Sequence, residues 1–293
     1  MKLRSIILVL SVSLIACHNN SNKEATQEPF KIAADSSDYL PDHNSTHLNS
    51  PYDTTGILTQ LLDPDSIVDN VAIWRPDAEA KFNMNVSEDG NCYTNIDTII
   101  KFPDNGWPDY LVILTTYLCD SAGEHFGGHS CAVDYGMATI VKNDSSSEKR
   151  EKVSDYKIYS FKRDLSHFGE YGQGAKVSVE NFGEDVLRIS DQYYGQGEEG
   201  TNDSYFSITD GDNVFSNFPY SSNAGAYITP AAGYEIAEHK LTTLPNKNGP
   251  WKKLKIDCKD TIFDTIKHKL IYKEYTEFYE MTENKNIYER VLK

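Results

Sequence analysis

The chain has 293 residues and carries 28 Lys and Arg against 44 Asp and Glu, a net charge of −16. An acidic excess of that size repels polyanions, which excludes nucleic acid and anionic lipid surfaces as natural partners. With 39% apolar residues and five cysteines, the chain is long enough to bury a sizeable core and is not a small scaffold built on disulfides.

Residues 1–17 open with Lys2 and Arg4, continue as an apolar run from Ile6 to Ala16 and end at Cys17. That run is too short to span a bilayer as a helix and has the layout of an export signal. Its last four residues, Leu14-Ile15-Ala16-Cys17, resemble the lipobox of bacterial lipoproteins. The resemblance covers the signal alone. It implies cleavage after residue 16, a diacylglyceryl group on the sulfur of Cys17 and attachment to a membrane through acyl chains. His18 in place of Asp at the next position implies, by the sorting rule of Gram-negative lipoproteins, residence at the outer membrane. Loss of Lys2 and Arg4 leaves 26 basic residues against 44 acidic, a net charge of −18. No later stretch offers the roughly 18 to 20 apolar residues that a spanning helix requires.

Residues 17–51 are rich in Asn, Ser, Thr, Asp and Glu and poor in apolar side chains. They bury too little to offset their ordering entropy, so they read as a tether with a reach of roughly 30 Å. A single β-rich domain is expected over 52–293. It opens with a short helix ending near Leu62, before Pro64, and capped by Asp53 or Thr54. Short runs rich in Val, Ile, Tyr, Phe and Thr follow: Tyr110 to Leu118, Ala138 to Lys142, Tyr156 to Lys162, Lys176 to Glu180, Val186 to Ser190 and Ser204 to Thr209. Turn-formers bound them, among them Pro103-Asp104-Asn105-Gly106 and Asp210-Gly211, the clearest hairpin signal in the chain. Asn143 to Asp155 reads as a long solvated loop between strands. Glu283 to Asn286 reads as a turn into a last strand, Ile287 to Leu292. The fold class is mainly β, with antiparallel sheets forming a sandwich or barrel.

Four cysteines remain beyond Cys17. An even number in an exported chain points to disulfides, with three pairings open. Cys119 and Cys131 bracket a Gly-rich turn, and Cys92 with Cys258 follows by elimination. The segment from Cys119 to Cys131 also holds Glu124, His125 and His129, residue types that suit zinc. Its two adjacent glycines work against a helix, and a disulfide would withdraw both thiols. No cofactor is called for; zinc at His125 and His129 and calcium on acidic loops such as Asp210-Gly211-Asp212 are the candidates. His167, His239 and His268 stand alone and read as surface or core residues.

The second constellation runs from Ser190 to Phe206. Tyr193, Tyr194 and Tyr205 beside Glu198, Glu199 and a Gly-rich turn make a candidate platform on which rings stack and polar groups orient a ligand. Three readings follow: a binding module for protein, peptide or carbohydrate, an exported metal-assisted hydrolase using His125 and His129, or a structural component of an outer-membrane assembly. The binding module is the leading one.

Overall fold

The structure, a computed structural model, describes residues 47–77, 90–104, 106–118, 133–142, 156–168, 175–195, 198–224, 235–247, 249–264, 266–267, 269–282 and 286–291. It is mainly β with one short helix, in the antiparallel arrangement the strand pattern predicts. The helix α1, Thr54–Leu62, starts where Asp53 Oδ1 accepts from the Gly56 N–H at 2.9 Å and stops at Asp63, which is left-handed with φ of 44°. Ile57, Leu58 and Leu61 form its buried face.

Strands β1 (His47–Leu48), β2 (Ser66–Val68), β3 (Val71–Trp74), β4 (Cys92–Lys101), β5 (Tyr110–Leu118), β6 (Val133–Lys142) and β7 (Tyr156–Phe168) form a first sheet in the order β1-β7-β6-β5-β4-β3-β2. A second sheet holds β8 (Lys176–Asn181), β9 (Asp185–Gly195), β10 (Glu198–Ser207), β11 (Asn213–Ala224), β12 (Glu235–Leu244), β13 (Lys253–Asp264), β14 (Lys269–Thr282) and β15 (Ile287–Arg290), each beside its neighbour in sequence. Apart from β1, each sheet is a meander, so every pairing is local. The stretch 143–155, expected as a loop, lies outside the described residues; β6 and β7 on either side of it pair with each other. Asp210 and Gly211 turn the β10–β11 hairpin, with Gly211 at φ +74°.

Both sheets coil. Flat strands lie about 4.8 Å apart, which would put β3 and β7 roughly 19 Å from each other. Instead Arg163 on β7 lies 5.2 Å from the Trp74 ring of β3. Inside this curl, Tyr110, Val112 and Leu114 of β5 pack with Ile57, Leu58 and Leu61 of α1 in a first core. The alternate residues Leu111 and Ile113 face the other way and meet Leu187, Ile189 and Phe206 of the second sheet in a second core. Strand β5 is therefore buried on both faces, which explains the continuous apolar run Tyr110 to Leu114.

The second sheet curls the opposite way. Val186 and Tyr205 share a third core with Leu254, Ile256, Cys258 and Tyr288. The curl is fastened where the Lys252 N–H donates to the Phe182 carbonyl at 2.6 Å and the Tyr288 hydroxyl donates to the Lys252 carbonyl at 2.8 Å.

Two expectations change. Cys92 and Cys258 are buried and are not bonded to each other. Cys92 belongs to the first core and Cys258 to the third, so elimination by count paired residues that separate layers keep apart. The folded region also begins earlier than residue 52, since His47 and Leu48 pair with Lys157 and Tyr156 and Leu48 is buried. One apolar residue in a polar stretch leaves too little periodicity to announce a two-residue strand.

Candidate functional site

Among the described residues, an exposed aromatic pair lies where β4 turns into β5. Phe102, buried in the second core, donates its N–H to the Asp109 carbonyl at 2.9 Å, and Gly106 donates to the Pro103 carbonyl at 2.7 Å. The Asp109 carboxylate accepts from the Lys142 N–H at 2.7 Å. The loop is thus tied at both ends and across to β6, and it holds Trp107 outward, 46% exposed. Beside it is Tyr159, 51% exposed, with ring centroids 5.2 Å apart and planes at 88°.

Tyr159 owes its position to a bulge. Thr139 pairs with Ser160 and Ile140 with Ile158, so Tyr159 is the extra residue on β7. A bulge re-aims a side chain; here the buried Thr139 hydroxyl accepts from the Ser160 N–H at 3.1 Å, anchoring the irregular backbone. On the concave face of the same end, Tyr52, Tyr110 and Tyr156 continue edge to face at 5.7 and 5.8 Å. Neither Trp107 nor Tyr159 stood out in the sequence, although a Trp between Gly106 and Pro108 sits in turn chemistry that argues against a core role.

In the platform expected on β9 and β10, the two strands pair with Tyr193 opposite Gly200 and Tyr194 opposite Glu199. Tyr205 is no surface residue: it is 1% exposed and packs between Phe182 and Phe215 at 4.9 and 6.0 Å. Cys17, Cys119, Cys131, His125 and His129 lie outside the described residues.

A buried polar row crosses the concave face of the first sheet at its other end. Trp74 Nε1–H donates to Thr94 Oγ1 at 2.8 Å, and Thr94 Oγ1 meets Thr116 Oγ1 at 2.8 Å. Thr116 is opposite Asp134, and Asp134 is opposite His167. Asp134, 1% exposed, contacts His167 Nδ1 through Oδ1, while the His167 side chain is 43% exposed. Asp134 Oδ2 meets no hydrogen-bond donor among the described residues. The chain leaves β5 at Leu118 and re-enters at Val133, one residue before Asp134. Asp134 and His167 are 33 positions apart, and only the register of β6 on β7 brings them together.

The curl of the second sheet holds another set. His239 Nε2 lies 3.0 Å from Asp260 Oδ1, and the Tyr275 hydroxyl donates to Asp260 Oδ2 at 2.8 Å. Cys258 is opposite both His239 and Tyr275, so thiol, imidazole and carboxylate gather on one face. Burial, reinforced by the Glu277 carboxylate, pushes the Cys258 thiol up to about 11, the reverse of what nucleophilic catalysis requires. At the turn Asp210-Gly211-Asp212, Asp210 Oδ1 accepts from the Asp212 N–H at 3.0 Å, which is turn chemistry. Among the described residues, no group of three His, Cys, Asp or Glu side chains is placed to hold a metal ion. The chain matches no protein-family model, no curated protein and no solved structure.

Proposed function

We propose that this protein is lipid-anchored through Cys17 at the bacterial outer membrane and acts there by binding, with Trp107 and Tyr159 as the contact surface. The observation that carries the reading is the right-angled pair of exposed rings on a tied loop and a bulged strand. Such a corner offers one ring face for stacking and a second ring as a wall, at little ordering cost because the backbone is already held. A pyranose ring fits it, with a peptide as the competing ligand, and the net acidic charge favours neutral or cationic ligands.

The test is tryptophan fluorescence and amide chemical-shift titration with soluble peptidoglycan fragments, neutral oligosaccharides and peptides. Saturable binding that disappears in Trp107→Ala and Tyr159→Ala, with the thermal melt retained, supports the reading. Binding that survives both substitutions sinks it. The anchor is tested separately: the mature protein has a diacylglyceryl mass on Cys17 and partitions with membranes, and Cys17→Ser does neither.

One observation favours a second reading, the exported hydrolase. A buried carboxylate holding Nδ1 of a half-exposed imidazole is the arrangement that orients a general base or a metal-ligating histidine. On this reading Asp134 and His167 work with His125 and His129. Zinc in the purified protein that falls in both His129→Ala and His167→Ala would favour it over the binding module.

A further inference from the structure

On the concave face of the first sheet, Thr94, Thr116 and Asp134 stand side by side on β4, β5 and β6. All three are buried. Their hydrogens do not balance. Trp74 Nε1–H and the two threonine hydroxyls supply three hydrogens; the bond from Trp74 to Thr94 and the bond between Thr94 and Thr116 use two. The negative charge of Asp134 favours the orientation in which Thr94 donates to Thr116, which leaves the Thr116 hydrogen on the carboxylate's side. Asp134 holds His167 Nδ1 through Oδ1 and accepts nothing at Oδ2 among the described residues. A donor and an acceptor are thus left over on neighbouring strands, and each costs free energy when buried without a partner.

Residues opposite each other in a sheet have Cβ atoms about 4.5 to 5.5 Å apart, so a single atom suffices to bridge Thr116 and Asp134. That atom has to accept from the hydroxyl and donate to the carboxylate at once. A hydroxyl oxygen does both. An ammonium group only donates, a carbonyl oxygen only accepts, and an anion is repelled by Asp134. Towards the core the row is walled off: a Cβ on Gly136, two residues along β6, would stand 2.5 Å from the Arg163 carbonyl oxygen. The His167 side chain is 43% exposed, so the row meets solvent past that residue.

We propose that Thr116 and Asp134 bind one hydroxyl group of a neutral sugar that enters past His167. The site stands about 20 Å along β5 from Tyr110, at the opposite end from the corner of Trp107 and Tyr159. Water has the same donor and acceptor chemistry, so the experiment separates the two.

Chemical-shift titration of the Thr116 methyl and the His167 ring, in the chain from residue 17 carrying Cys17→Ser, tests the proposal with methyl glycosides of neutral hexoses as probes. Saturable shifts of both signals are expected; the Trp107 indole signal reports the other site separately. Thr116→Val removes the hydroxyl at nearly constant volume and weakens binding read at His167 about tenfold, whereas Thr116→Ser keeps the hydroxyl and binds like the parent. A permethylated glycoside accepts but cannot donate, so it is expected to leave both signals in place; this arm needs no variant to fold. Glycosides that move neither signal mark an ordered water only and overturn the proposal. So does equal binding of the permethylated probe, and so does binding that Thr116→Val fails to weaken.

Discussion

Arg188 on β9 bridges two strands: its guanidinium donates to Asp203 of β10 at 2.7 Å and to Glu180 of β8 at 2.8 Å. Asp203 is 2% exposed. Burial pulls the Arg188 pKa down, but the hydrogen bond and charge of Asp203 outweigh it and push it above its ordinary value. Removing one partner of a buried pair leaves an uncompensated charge, so Arg188→Met is expected to lower stability by about 3 to 5 kcal/mol. Arg188→Met with Asp203→Asn should cost less than Arg188→Met alone. Urea unfolding of the three proteins checks this, and equal losses in single and double variants would count against the pairing.

Gly183 turns β8 into β9 at φ +106°, and a Cβ there would stand 1.9 Å from the Pro250 carbonyl oxygen. Gly183→Ala therefore forces apart the turn and the chain before β13 that close the curl of the second sheet. A loss of about 3 kcal/mol or more is expected. Hydrogen exchange should show the amides of Lys252 and Phe182 losing protection first; a variant as stable as the parent would mean that the closure is not tight.

The stability of this protein should fall in alkali for a stated reason. Burial and the Glu277 carboxylate raise Cys258 from 9.0 to about 11, and burial and Asp97 raise Tyr135 from 10.0 to about 12. The folded state thus holds both protons more tightly than the unfolded chain does. Their contribution is complete below pH 9 and is lost as pH rises through about 11 and about 12. Thermal melts across that window should decline, and Tyr135→Phe should flatten the upper part of the decline. Identical slopes in parent and variant would rule Tyr135 out as a contributor.

Cys92 and Cys258 lie in different cores, so a non-reducing digest should yield no peptide that joins them. Native protein should resist alkylation at Cys258 at neutral pH, because that thiol is buried and held in its protonated form. A peptide joining Cys92 to Cys258 in a non-reducing digest would overturn the placement of the two sheets.

Much of the fold was legible because the signals are local. Asp53 before Thr54 to Leu62 caps a helix by a bond three residues long. The Asp210-Gly211 turn works by backbone conformation at one glycine. Tyr110 to Leu118 was legible as a buried strand, with bounds that match β5. The sites were less so. Tyr205 has the composition of a binding residue and the position of a core residue, since it faces the inside of a curl that no local pattern announces. His167 and His239 read as isolated histidines, yet each is paired with an aspartate, Asp134 and Asp260, across a strand register.

By itself the amino-acid sequence determined the antiparallel β class and the positions of several strands, because alternation and turn chemistry act over a few residues. Tertiary structure alone decided the strand order, which face of each strand meets which layer, that Cys92 and Cys258 stay apart and that Trp107 and Tyr159 form one corner. Those outcomes depend on how strongly each sheet coils and where its bulges fall. Coiling and bulges sum small twists over many strands, so no short window of residues contains them.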